Sequence, residues 1–97
     1  MEKFKNKRFI SKGVAESIAP LLQLFMWKCI DDMPHPKDYL QVFTLRKENG
    51  KMKIKHCQEE PGYQNQYLLS ADIPFYVGKI YVIDDKTHST MLLAEEY

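Results

Sequence analysis

The sequence predicts an α+β domain in which a mostly antiparallel sheet packs against one apolar helix. Three observations lead there. Asn49-Gly50 separates two runs of alternating apolar and polar residues, the mark of a tight hairpin, because a type I′ turn needs positive φ at both central positions. The run from Pro20 to Asp32 is apolar around most of its circumference, so as a helix it must lie against a second layer. A chain of 97 residues, 44% of them hydrophobic, holds one core and no second.

The elements follow in order. Residues 7–11 form a short, partly apolar first strand ending before Gly13, which starts a turn toward the helix. Pro20 suits a first helical turn, where its missing N–H is no loss. The helix therefore spans about 20–32, with Ser17 or Ala19 at its entry and Pro34 and Pro36 beyond its end. The Asn49-Gly50 turn fixes a register in which Glu48 faces Lys51, Leu45 faces Ile54, Phe43 faces His56 and Val42 faces Cys57. Period-two alternation then puts Phe43, Leu45, Met52, Ile54 and His56 on the core side, and Thr44, Arg46, Lys53 and Lys55 on the wet side. Pro61-Gly62 breaks the chain, 63–69 alternates as a further strand, and 70–78 is a connection. Residues 79–93 read as a second hairpin around Asp85-Lys86, with Ile83 opposite His88 and Tyr81 opposite Thr90. Its apolar residues fall on both faces, which places it centrally in the sheet. The order is β-α-β-β-β-β-β over a single domain, 1–97, with a basic arm at about 1–6.

The formal charge of +1 gives no global field toward nucleic acid or membrane. No apolar run reaches the ~18 residues a membrane span requires, and the basic N-terminus has no apolar segment behind it to make a signal peptide. The expected location is the cytoplasm. Cys29 lies in an apolar run and Cys57 far from it, without metal-ligand spacing. Free thiols fit that reading better than a disulfide.

Two stretches share the letters Asp-Asp-x-x-His: Asp31, Asp32 and His35, then Asp84, Asp85 and His88. The first ends a helix and the second forms a hairpin tip, so they are not copies of one device. Both read as turns, for which Asp-Asp is ordinary composition, and no metal site is expected; Asp84, Asp85 and His88 come nearest to one. His56 and Cys57, as neighbours on a strand, point to opposite faces and cannot act as a base–nucleophile pair. His56 is expected beside Phe43 with one nitrogen bonded. No catalytic constellation and no cofactor motif appears.

Basic residues concentrate at Lys5, Lys7 and Arg8 and at the hairpin tip, Arg46, Lys51, Lys53 and Lys55. Sharing one side, they would track phosphates. Tyr63, Gln64, Gln66 and Tyr67 make a polar, tyrosine-bearing strand suited to an edge that a partner chain can use. The first reading of function is accordingly a non-enzymatic interaction module with an unidentified protein partner, and the second a nucleic-acid binder. Homodimerisation is compatible with both.

The segments "RFISKGVAESIAPLLQLFMW", "DYLQVFTL" and "YVIDDKTHSTMLLAEEY" resemble a family of small proteins catalogued as domain of unknown function 960, from low-GC Gram-positive bacteria and their phages or mobile elements. The resemblance runs from about Arg8 to Tyr97 and is most specific at Gly13–Glu16, Leu22–Phe25 and the terminal "MLLAEEY". It implies a standalone bacterial or phage accessory protein and carries no functional residues with it. Physically, Glu95 and Glu96 read as hydration of the tail.

Overall fold

The computed structural model describes residues 2–97. Six strands form one sheet: β1 (Lys7–Ile10), β2 (Leu40–Glu48), β3 (Lys51–Gln58), β4 (Tyr63–Leu69), β5 (Gly78–Asp84) and β6 (His88–Leu93), in spatial order β1-β6-β5-β2-β3-β4. Every pairing is antiparallel except β1 with β6, which run parallel. Two helices, α1 (Lys12–Ser17) and α2 (Pro20–Asp32), cover one face.

The helix α2 has the predicted bounds. Pro20 occupies its first turn after Ala19, and Leu22, Met26, Cys29 and Ile30 turn into the core. Fully burying an aliphatic side chain of this kind contributes about 1.5–3 kcal/mol. The sheet supplies the opposing layer through Phe43, Leu45, Met52, Ile54, Ile80, Val82 and Met91. The β2–β3 register is the one the Asn49-Gly50 turn dictates, with both turn residues at positive φ.

Three expectations need correction. Residues 12–17 are helical, so Gly13 lies inside α1 and does not start a turn. Ser11 caps that helix by accepting from Val14 N at 3.1 Å. In the second hairpin Ile83 pairs with Thr90 and Tyr81 with Leu92, a shift of two residues. The turn centres on Lys86-Thr87: Lys86 takes φ +84, and Asp85 accepts from the backbone N–H groups of Thr87 and His88 at 3.1 and 2.9 Å. A two-residue shift preserves the faces, so the core is unaffected. Third, Glu96 does not hydrate a tail. It accepts from the Ser11 hydroxyl, from Gly13 N at 3.0 Å and from Leu93 N at 2.8 Å. A Cβ on Gly13 would stand 2.7 Å from that carboxylate, which is why glycine fits there.

The basic arm is not a free extension either. Phe4 is fully buried in the core, and its N–H donates to Asp84 Oδ2 at 2.6 Å. At the opposite end of the sheet, the connection 70–77 carries Ile73 and Tyr76 against the core and feeds Gly78. Gly78 sits at φ +151 with the Tyr76 ring 3.1 Å from where a Cβ would be, so a side chain is excluded there.

Candidate functional site

β4 alternates Tyr63, Asn65, Tyr67 and Leu69 toward the helix side with Gln64, Gln66 and Leu68 toward the open side, as its pairing with β3 requires. It is the outermost strand of the sheet. Tyr67 packs edge-on against Phe25 of α2, ring centroids 5.2 Å apart, and Tyr63 stands edge-on to His56 at 5.5 Å. The four proposed contact residues thus line one edge, with the tyrosines half-buried and Gln64 and Gln66 exposed. Sequence reasoning missed Leu68, whose side chain is 58% exposed among these amides.

The outer backbone of β4 is identifiable. Gln66 N–H bonds Asn65 Oδ1 at 2.9 Å, so it points away from β3. N–H and C=O of one strand residue leave on the same side and alternate along the strand. Gln64, Gln66 and Leu68 therefore carry the outward groups. Across seven residues β4 has no charge, no proline and no interruption of its register, three of the devices by which sheets blunt an edge, and its outward Gln66 N–H is capped by the Asn65 amide alone.

Behind β4 lies a buried polar ladder. His56 stacks on Phe43, centroids 4.3 Å apart, and its Nε2 meets Gln41 Oε1 at 2.7 Å. Gln41 Nε2 in turn donates to Gln58 Oε1 at 2.7 Å and to Asp38 O at 2.9 Å. His56 Nδ1 has no partner among the described residues, and burial pushes the imidazole pKa down to about 4. Cys29 and Cys57 are both free, with Cys29 under the helix and Cys57 on the far side of the sheet. Burial raises the Cys29 thiol to about 11, so it stays protonated near neutral pH.

The remaining candidates do not assemble. Asp84 is buried and accepts from Phe4 N, from Asn6 Nδ2 at 3.2 Å and from Lys86 N at 2.7 Å. Asp85 pairs instead with His88 at 3.2 Å within the exposed hairpin tip. Asp31 is held by Arg8, and His35 by Glu2 at 3.2 Å. Among the described residues no group of three or more His, Cys, Asp or Glu side chains converges to hold a metal ion. A cavity of about 530 Å³ beside the arm is lined by Lys3, Lys5, Tyr39, Asp84 and Lys86 among others. Its one buried charge, Asp84, is already satisfied from within the chain.

The two basic clusters lie at opposite corners of the sheet. Lys7 pairs with His88 at the end where β2 begins, whereas Arg46, Lys51, Lys53 and Lys55 surround the tip where β2 ends. At standard spacings they are about 19 Å apart across the strands and about 25 Å along them. Arg8 is also committed, its guanidinium 4.7 Å from the Trp27 ring centroid as well as bonded to Asp31. They form no common stripe.

These features define a small α+β protein built as a helix-backed sheet with one unguarded edge. Residues 7–96 match the family described as staphylococcal protein of unknown function (DUF960), and the chain belongs to that family. A crystal structure of a protein of unknown function from Enterococcus faecalis is similar throughout: TM-score 0.88 at 27% identity, covering 100% of this chain and 97% of that one. No curated protein matches the sequence. Among the described residues no helix is long and apolar enough to cross a membrane.

Proposed function

We propose that this protein is a non-enzymatic interaction module that takes in an extended segment of a protein partner alongside β4, as an accessory factor of a bacterium or its phages. The observation that carries the reading is the unguarded β4 edge, seven residues long and uncharged, with Gln64, Gln66 and Leu68 presenting their backbone outward. An incoming strand bonds those groups, displacing Asn65 Oδ1 from the Gln66 N–H, and sets alternate side chains on either side of the sheet. On the helix side they meet Tyr67, Phe25 and the half-exposed Leu21. On the other they meet Gln64, Gln66 and Leu68. Partner side chains alternating apolar and polar match both.

The test is proline at position 66. Gln66→Pro removes an outward N–H and leaves the β3 pairing intact, since proline is tolerated where a strand faces solvent. Tagged protein captures its partner from nuclease-treated host lysate, and Gln66→Pro loses that partner while circular dichroism stays unchanged. Capture that is equal in the two proteins, or that vanishes on nuclease treatment of the native one, refutes the reading.

A further inference from the structure

The helices, the arm and the connection 70–77 all pack on one face of the sheet. Among the described residues the other face has no covering layer apart from the Tyr97 ring, which stands edge-on to Tyr81 at 5.4 Å. Register sorts the residues of this face into two territories. Toward the β1 corner lie Phe9, Leu92, Tyr81, Ile83 and Val42. Phe9 is 50% exposed, although it is a large apolar residue. Toward the β2–β3 tip lie Arg46, Lys51, Lys53, Lys55 and Lys79, against the single carboxylate Glu48, which bridges Lys53 at 3.6 Å.

We infer that this open face is a second docking surface, distinct from the β4 edge, for an amphipathic helix of a protein partner that is apolar along one side and acidic at one end. A sheet with one apolar face covered by helices accepts the same kind of layer on the other. Five of the six strand cations on this face are gathered at the tip end, with Lys7 alone at the β1 corner, so the complementary charge must be gathered as well, and opposite charge both steers and orients the docking. From Phe9 to Lys53 the diagonal is about 28 Å at standard strand spacings, the length of a helix of about 18 residues. A nucleic acid fits less well. Its phosphates are evenly spaced, yet the apolar half offers them the single cation Lys7, and the Phe9 and Tyr81 rings stand edge-on to His88 and Tyr97. They present no stacking platform.

The experiment is selection of displayed 18-residue peptides on the full-length protein, followed by anisotropy titrations of the winners. Enriched sequences carry apolar residues at helical spacing with Asp and Glu clustered at one end. Their affinity falls about tenfold or more in the charge-reversed variant Arg46→Glu/Lys51→Glu/Lys79→Glu and falls again as salt rises. Phe9→Asp weakens them independently, and Gln66→Pro leaves them unchanged. All three reversed cations and Phe9 are exposed, so these variants keep the fold. No enrichment, or enrichment of basic or uncharged peptides, overturns the inference. So does binding indifferent to charge reversal, binding lost with Gln66→Pro, or displacement by a 20-nucleotide oligothymidylate.

Discussion

The two edges of this sheet are opposites. β1 is four residues long, carries Lys7 and Arg8, pairs in parallel with β6, and is pinned on both flanks. On one flank the Phe4–Asp84 bond holds the arm, and on the other the Ser11–Glu96–Gly13 clasp holds the start of α1. β4 is nearly twice as long, bears no charge, and is held by β3 and by Tyr67 and Leu69 packing on the core. An edge that must stay single is short, charged and tied down. An edge left long and neutral invites another strand. On the function proposed above, the working side of the molecule is the half of the sheet that ends in β4.

The comparison is broken most severely by proline on the wrong side of β4. Asn65→Pro deletes an N–H that faces β3, and its expected cost is about 3 kcal/mol in urea denaturation. Acid acts at a similar scale on the same half. The unfolded imidazole of His56 protonates near 6.5, while the buried one resists until about 4. Folding is thus fully stable above pH ~6.5 and loses about 3 kcal/mol as pH falls toward 4. Urea midpoints at pH 7.5 and 4.5 measure this, and amide exchange should quicken in β4 before β1. His56→Phe flattens the pH dependence.

On the guarded side, Asp84→Ala removes the acceptor for Phe4, Asn6 and Lys86 and costs about 2–3 kcal/mol. Hydrogen exchange should then show β1 losing protection while β4 keeps it. A smaller effect attends Gly13→Ala, about 1 kcal/mol, because the new methyl group displaces the Glu96 carboxylate. Together with Glu96→Ala it adds nothing further, since both changes break one clasp. Smallest of all, Gln66→Pro should cost under about 0.5 kcal/mol. If Gln66→Pro proves as damaging as Asn65→Pro, the outward assignment of β4 is reversed.

What could be read from the sequence followed from local rules. Asn49-Gly50 fixes its own register through positive φ, and Pro20 and Pro34 bracket α2, so those elements need no tertiary information. The second hairpin slipped because Asp85-Lys86 and Lys86-Thr87 are both acceptable turn centres, and only the acceptor role of Asp85 decides between them. The parallel pairing of β1 with β6 joins residues 81 positions apart and leaves no periodic trace. The start of α1 was missed, because Ser11 reads as the end of the first strand although serine is a favoured helix cap. Of the site, the β4 residues were legible by alternation. That β4 is an edge was legible in its run of exposed amides, but that β1 forms the opposite edge was not, because β1 joins the sheet through a parallel pairing with β6. The separation of the two basic clusters has the same cause.

The β1–β6 pairing also sets a clock. Lys7 and its partner His88 leave the ribosome 81 residues apart, about 4–16 s at ordinary rates of synthesis. Through that interval β2, β3 and β4 can pair in order as they emerge, while Phe9 and Ile10 wait with no strand to join. β6 then closes the gap between β5 and β1. The newborn protein completes the half that we assign to partners first and the half with the short, pinned edge last, so a partner strand can arrive before the fold is closed.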